Sequence, residues 1–147
     1  MSARKMIEVM KIKIEAKKEN LGKIMSFCND FMISEFHPDC SNNLLLVAVE
    51  EIFTNISSYA FSDKVGYAEL ELLRTNKNTI RVIFTDNGCP FNPIEFESDN
   101  RAKNHIDNLT PGGLGLYIVK NTMKNLKYEY IGGCNIFSFE TAAEEKK

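Results

Sequence analysis

Glu51 and Asn55 stand four residues apart in LLLVAVEEIFTNISSYAF, residues 44–61. At about 100° per residue they lie one turn apart on a helix, on one flank of the apolar stripe Leu45–Val49–Ile52–Ile56. Glu50 falls on the opposite flank, where solvation explains it. A carboxylate above a carboxamide is common on helix surfaces, but together the two can do chemistry. The amide oxygen of Asn55 is a neutral, hard donor suited to Mg²⁺, and Glu51 could orient or deprotonate a nucleophile beside it. A second set begins at Asp86, where TIRVIFTD runs into DNGCPFNPIEF. A carboxylate at a strand end can accept a hydrogen bond from an exocyclic amine, and it can equally shape the turn through its own backbone. The third set is glycine: of eight in the chain, Gly88, Gly112, Gly113 and Gly115 bracket one stretch. PGGLGL opens a helical pattern, where glycines let backbone N–H groups approach an anion at a helix N-terminus. It matches neither the Walker pattern nor GxGxxG, and as an isolated feature it is more often just a turn.

The elements that must position these residues follow from periodicity. IEVMKIKIE alternates, with Met10, Ile12 and Ile14 on one face and Lys11, Lys13 and Glu15 on the other, predicting a strand with one wet face. Leu21, Ile24, Met25, Phe27, Cys28, Phe31 and Met32 predict a helix over about 18–36. HPDCSN interrupts, and Ser41 or Asn42 is placed to cap a second helix over about 41–60. YAELELLRT and TIRVIFTD predict a hairpin turning at NKN. Residues 87–112 lack periodicity and make a lid-like segment that starts on Pro90 and Pro93. A third helix begins near Gly112, and KYEYIGGCNIFSFE predicts a closing hairpin turning at Gly132 and Gly133. The order β-α-α-β-β-lid-α-β-β, with polar residues alternating along several strands, predicts a two-layer α/β (α+β) sandwich. Its sheet is mixed but mostly antiparallel, with helices on one face.

Bulk properties narrow the classes. The chain of 147 residues is long enough for one domain, 1–147, with its own core. A net charge of −2 gives no basic footprint for nucleic acid. Cys28, Cys40, Cys89 and Cys134 form no CxxC pair, so a zinc site is not indicated and reduced thiols in a cytoplasmic protein are the simplest account. No apolar run reaches the roughly 18 residues needed to span a bilayer, and no leader pattern is present. His37 and His105 make no ligand pattern.

In their order, EIFTN, DNGCPF and GGLGLYIV resemble the three nucleotide-site motifs of the GHKL ATPase superfamily. That group includes gyrase, heat-shock chaperones, histidine kinases and mismatch-repair proteins. The resemblance covers nearly the whole chain and implies a Bergerat-type fold that binds ATP and Mg²⁺. Within the group the size, DNGCPFNP, and GGLGLYIVKNTM followed by a short hairpin are most similar to the anti-sigma-factor serine/threonine kinases. No segment with a phosphorylatable histidine precedes the domain, so autophosphorylation on histidine is not expected.

The resemblance implies that Glu51 is the general base and that Asn55 holds the metal. It implies that Asp86 binds the adenine amino group with Gly88 giving room beneath the base. Gly112, Gly113 and Gly115 would lie at the phosphates, and Ser138 would share the adenine-linked water. It also implies two protein partners, a small anti-sigma-factor antagonist as phosphoacceptor and a sigma factor or similar regulator, and a homodimer, with no nucleic acid or membrane bound directly. Two positions depart from the group. Tyr59 stands where many relatives carry His, and NLTP replaces a basic residue before the lid glycines, leaving Arg101 and Lys103 further upstream. An ATP-gated binding module with little phosphotransfer is therefore the alternative.

Overall fold

The computed structural model describes residues 9–36, 40–41, 43–60, 66–95 and 111–145. Strand β1 (Val9–Glu15) leads through a 3-10 turn (Lys18–Asn20) into helix α1 (Leu21–Glu35). A two-residue strand β2 (Cys40–Ser41) precedes helix α2 (Asn43–Tyr59). Strands β3 (Tyr67–Asn76) and β4 (Thr79–Asp86) form the central hairpin. Helix α3 (Pro111–Thr122) follows, then β5 (Lys124–Ile131), β6 (Cys134–Ala142) and β7 (Glu144–Glu145). Ser41 therefore belongs to β2, and Asn42 lies outside the described residues. So do His37, Arg101, Lys103, His105 and most of the 87–112 lid, which is described only over 87–95 and 111–112.

The sheet order is β1-β3-β4-β6-β5, and every pairing in it is antiparallel, where a mixed but mostly antiparallel sheet was expected. Each neighbour is reached by a reversal, so no parallel pair arises. A separate ribbon pairs Cys40 with Glu145 and Ser41 with Glu144.

Alternation decides the two faces of the sheet. Even-numbered positions of β3 and β4 (Ala68, Leu70 and Leu72, then Ile80, Val82 and Phe84) are buried against the helices. Across the ladder Val82 faces Phe139 and Phe84 faces Phe137, so odd-numbered residues of β6 complete that face. The helices close over it with Ile24, Cys28, Phe31 and Met32 from α1, Leu45, Val49, Ile52, Phe53 and Ile56 from α2, and Leu116 and Val119 from α3. Lys11, Glu69, Glu71, Arg81 and Thr85 fall on the other face, which gives the expected two layers with helices on one side only.

Local signals end the elements as their chemistry requires. Asn76 Oδ1 accepts from the Asn78 N–H at 2.9 Å, closing the β3–β4 turn as an Asx turn. Gly132 and Gly133 both have positive φ, 62° and 79°, as a two-residue hairpin turn needs. Arg74 ties the hairpin to α1: its guanidinium donates to the Glu35 carbonyl at the helix end and to the Lys77 carbonyl, and it lies 4.1 Å from the Phe36 ring centroid.

Candidate functional site

The candidate residues are organised along α2: α3 meets it at Glu51, and the loop after β4 meets its end at Ala60. On α2, the stripe Leu45–Val49–Ile52–Ile56 is buried as predicted, and this rolls Glu51 and Asn55 to its flank, half-buried. The Glu51 carboxyl is held above the usual carboxylate range, chiefly by burial and secondarily by the charge of Glu50. A raised pKa makes Glu51 a stronger base than an exposed glutamate. One turn on, Asn55 Nδ2 is buried with no hydrogen-bond partner among the described residues. An unused buried amide is costly, and a carboxamide can turn over to present its oxygen at the same place. Asn55 therefore fits a ligand that supplies what the protein does not, such as a hydrated Mg²⁺. Among the described residues no group of three His, Cys, Asp or Glu could hold a metal by itself.

Helix α3 begins at Pro111, so Gly112 and Gly113 occupy its first turn instead of a loop before it. Proline is favoured at this first helical position because its missing N–H would be unpaired in any case. The N–H groups of Gly112 and Gly113 are then among those that a helix start leaves without an intrahelical partner. Gly115 is the fifth residue of the helix, and its N–H falls to the helical ladder. Its glycine character has another cause: a Cβ there would lie 2.0 Å from Glu51 Oε1 and 2.6 Å from Glu51 Cδ. The absence of a side chain at Gly115 is what lets α3 seat the Glu51 carboxylate.

Asp86 closes β4 on the core face, 7% exposed. Its Oδ1 accepts from the Gly88 N–H at 2.8 Å and from Asn135 Nδ2 at 3.0 Å. Burial raises its pKa, and those two hydrogen bonds oppose the rise. Gly88 was expected to leave room beneath a base, and the direction a side chain would take from it is filled by Ala60. A Cβ at Gly88 would lie 2.5 Å from the Ala60 carbonyl oxygen and 2.6 Å from Ala60 Cβ. The Cys89 N–H donates to that same carbonyl at 3.0 Å, so the glycine docks the loop after β4 onto the end of α2.

Ser138 is corrected by register. It pairs with Ile83, whereas Asp86 pairs with Asn135. Successive residues point to opposite faces, so Ser138 lies behind the sheet and cannot meet Asp86. The residue that does meet it is Asn135, which sequence reading passed over. The hairpin turn at Gly132 and Gly133 sets β6 only against β5, so no sequence signal sets its register against β4. Tyr59 belongs to α2, and its side chain lies outside the described residues.

Among the described residues, an antiparallel sheet is covered on one face by three helices, and that side carries a half-buried glutamate, an amide without a partner, helix-start N–H groups and a buried aspartate, an arrangement of the ATPase nucleotide-site type. A family model of the histidine kinase-like ATPase domain matches residues 14–139, and the chain belongs to that family. ATP is accordingly the ligand class of the site. The chain is also 30% identical, over 91 residues, to the serine/threonine-protein kinase BtrW of Bordetella bronchiseptica. That match covers 62% of this chain and 63% of the relative, so it spans less than two thirds of the relative's length. No helix among the described residues is long and apolar enough to cross a membrane.

Proposed function

We propose that this protein is an ATP-dependent protein serine/threonine kinase of the anti-sigma type, phosphorylating a small antagonist protein and binding a sigma factor or similar regulator. The observation that carries the reading is Glu51, half-buried, raised in pKa and seated against Gly115 one turn from the unpartnered amide of Asn55. The relative named a serine/threonine-protein kinase supports it. In this reading Asp86 meets the adenine amine, and Asn55 holds Mg²⁺, whose charge would offset that of the phosphates. The N–H groups of Gly112 and Gly113 meet phosphate oxygens at the start of α3. Glu51 takes the proton of the acceptor hydroxyl as its oxygen bonds to the γ-phosphorus. The bond to the bridging oxygen breaks, and ADP leaves with that electron pair. The cytoplasm, where both partners would reside, is the proposed location, and a homodimer the proposed assembly.

Incubation with Mg·ATP and an antagonist-domain protein shown to bind this chain should yield phosphoserine or phosphothreonine on the antagonist. Glu51→Gln should lower the rate by about a hundredfold or more, while ATP binding stays close to wild type. Wild-type protein that transfers nothing to a verified binding partner would sink the kinase reading. Tyr59 and NLTP, which depart from the kinase pattern, favour a second reading in which ATP gates partner binding without useful transfer. Partner capture that depends on ATP and is indifferent to Glu51→Gln would select it.

A further inference from the structure

Asn135 is 6% exposed at the start of β6, directly across the ladder from Asp86. A carboxamide offers two N–H donors and two acceptor lone pairs, and here all four are used. Nδ2 donates to Asp86 Oδ1 at 3.0 Å and to the Cys89 carbonyl at 2.8 Å. Oδ1 accepts from the Phe91 N–H at 2.9 Å and from the Tyr128 hydroxyl on β5. The pattern fixes which way the amide points. Turned over, its oxygen would face a carboxylate and a carbonyl, and its NH₂ would face a backbone N–H. Both hydrogen bonds to Asp86 fall on Oδ1, and among the described residues Oδ2 receives none.

We propose that Asn135, seated by Tyr128, is the positioning residue that sets base specificity: it pins one oxygen of Asp86 so that the other faces the ligand as an acceptor, selecting nucleotides whose purine carries a 6-amino group. The inference rests on the reading of Asp86 as the group that meets the base. Without Asn135 only the Gly88 N–H holds Oδ1, and a buried carboxylate so loosely held can rotate about χ2 or take up a proton; a protonated oxygen no longer requires an amine. The tie also holds the chain at Cys89 and Phe91, so a purely structural role is the competing account. The two differ in what they change. Loosening a loop weakens every nucleotide alike, whereas misplacing the acceptor weakens only those carrying the amine.

The test is calorimetric binding of Mg·ATP and of the Mg complex of purine riboside triphosphate, the same ring without its 6-amino group. Wild type should favour ATP by roughly tenfold to a hundredfold, the worth of one hydrogen bond to a charged group. Asn135→Asp, which sets a second carboxylate against Asp86, should bring that ratio to within about threefold of unity, with weak binding of both retained through the phosphates. Circular dichroism and the thermal midpoint report whether the variant folds. If it does not, Asn135→Ala gives the same readout. Tyr128→Phe removes a single hydroxyl and should lower the ratio by about threefold in a folded protein. A folded Asn135 variant that keeps the wild-type ratio overturns the inference and leaves the ATP site standing. Wild type that binds both nucleotides equally overturns it together with the role of Asp86, and wild type that binds neither overturns the site itself.

Discussion

Asp86 illustrates a residue whose burial works against the fold. Desolvation raises its pKa from an ordinary 3.8, with Asn135 and Gly88 pulling the other way. A carboxyl that holds its proton more tightly when folded contributes stability that is complete below its unfolded pKa. That contribution is lost as pH rises through the folded pKa. At neutral pH the folded chain therefore carries the desolvation cost in full. Asp86→Asn removes the charge, and its side-chain oxygen can still accept from Gly88 and Asn135. It should raise stability at pH 7 by on the order of 1 kcal/mol, an advantage that shrinks as pH falls toward 4, while ATP binding is lost. Thermal melts across pH 4–8, paired with calorimetry, check both halves. An unchanged or lower midpoint at pH 7 would show that Asp86 is held by more than these two bonds.

Among the elements, α2 is the axis of the site: Glu51 and Asn55 sit on its flank, and Ala60 just past its end receives the loop from β4. Two glycines let neighbouring segments close on it, and their replacement should separate function from stability. At Gly115 an added Cβ meets the Glu51 side chain, with Cγ at 2.8 Å as well as the carboxylate, so the glutamate must swing away. Alanine is also the better helix former by about 1 kcal/mol. Gly115→Ala should therefore leave the thermal midpoint near wild type and lower phosphotransfer at least about tenfold. At Gly88 the obstacle is the Ala60 backbone, which cannot yield so cheaply. Gly88→Ala should cost about 1–3 kcal/mol in chemical denaturation, as overpacking does, and weaken ATP binding with it. Equal behaviour of the two variants would refute this division.

On the scale of the whole molecule, one core joins the sheet to the three described helices, so a ligand bound at their junction should stabilise the entire domain. Mg·ATP at a hundred times its Kd adds about 2.7 kcal/mol, or about 5–10 °C in the midpoint for a domain of this size. Differential scanning fluorimetry should show that rise with Mg·ATP and little of it with Asn55→Ala. The sequence by itself determined the longer elements, because a period of 2 or 3.6 is written into each apolar stripe, but not the two-residue strands β2 and β7. It placed Glu51 and Asn55 on one flank of α2 because the stripe beside them must be buried. It also marked Asp86 as ending a core strand. Pairings between strands remote in the chain were decided by the tertiary structure alone. Register set Asn135 opposite Asp86 and turned Ser138 to the far face, since a shift of one residue reverses every side chain. Close approach gave Gly115 to Glu51 and Gly88 to Ala60. No periodicity within one segment records which other segment will press against it, so these contacts exist only once the sheet and helices have packed.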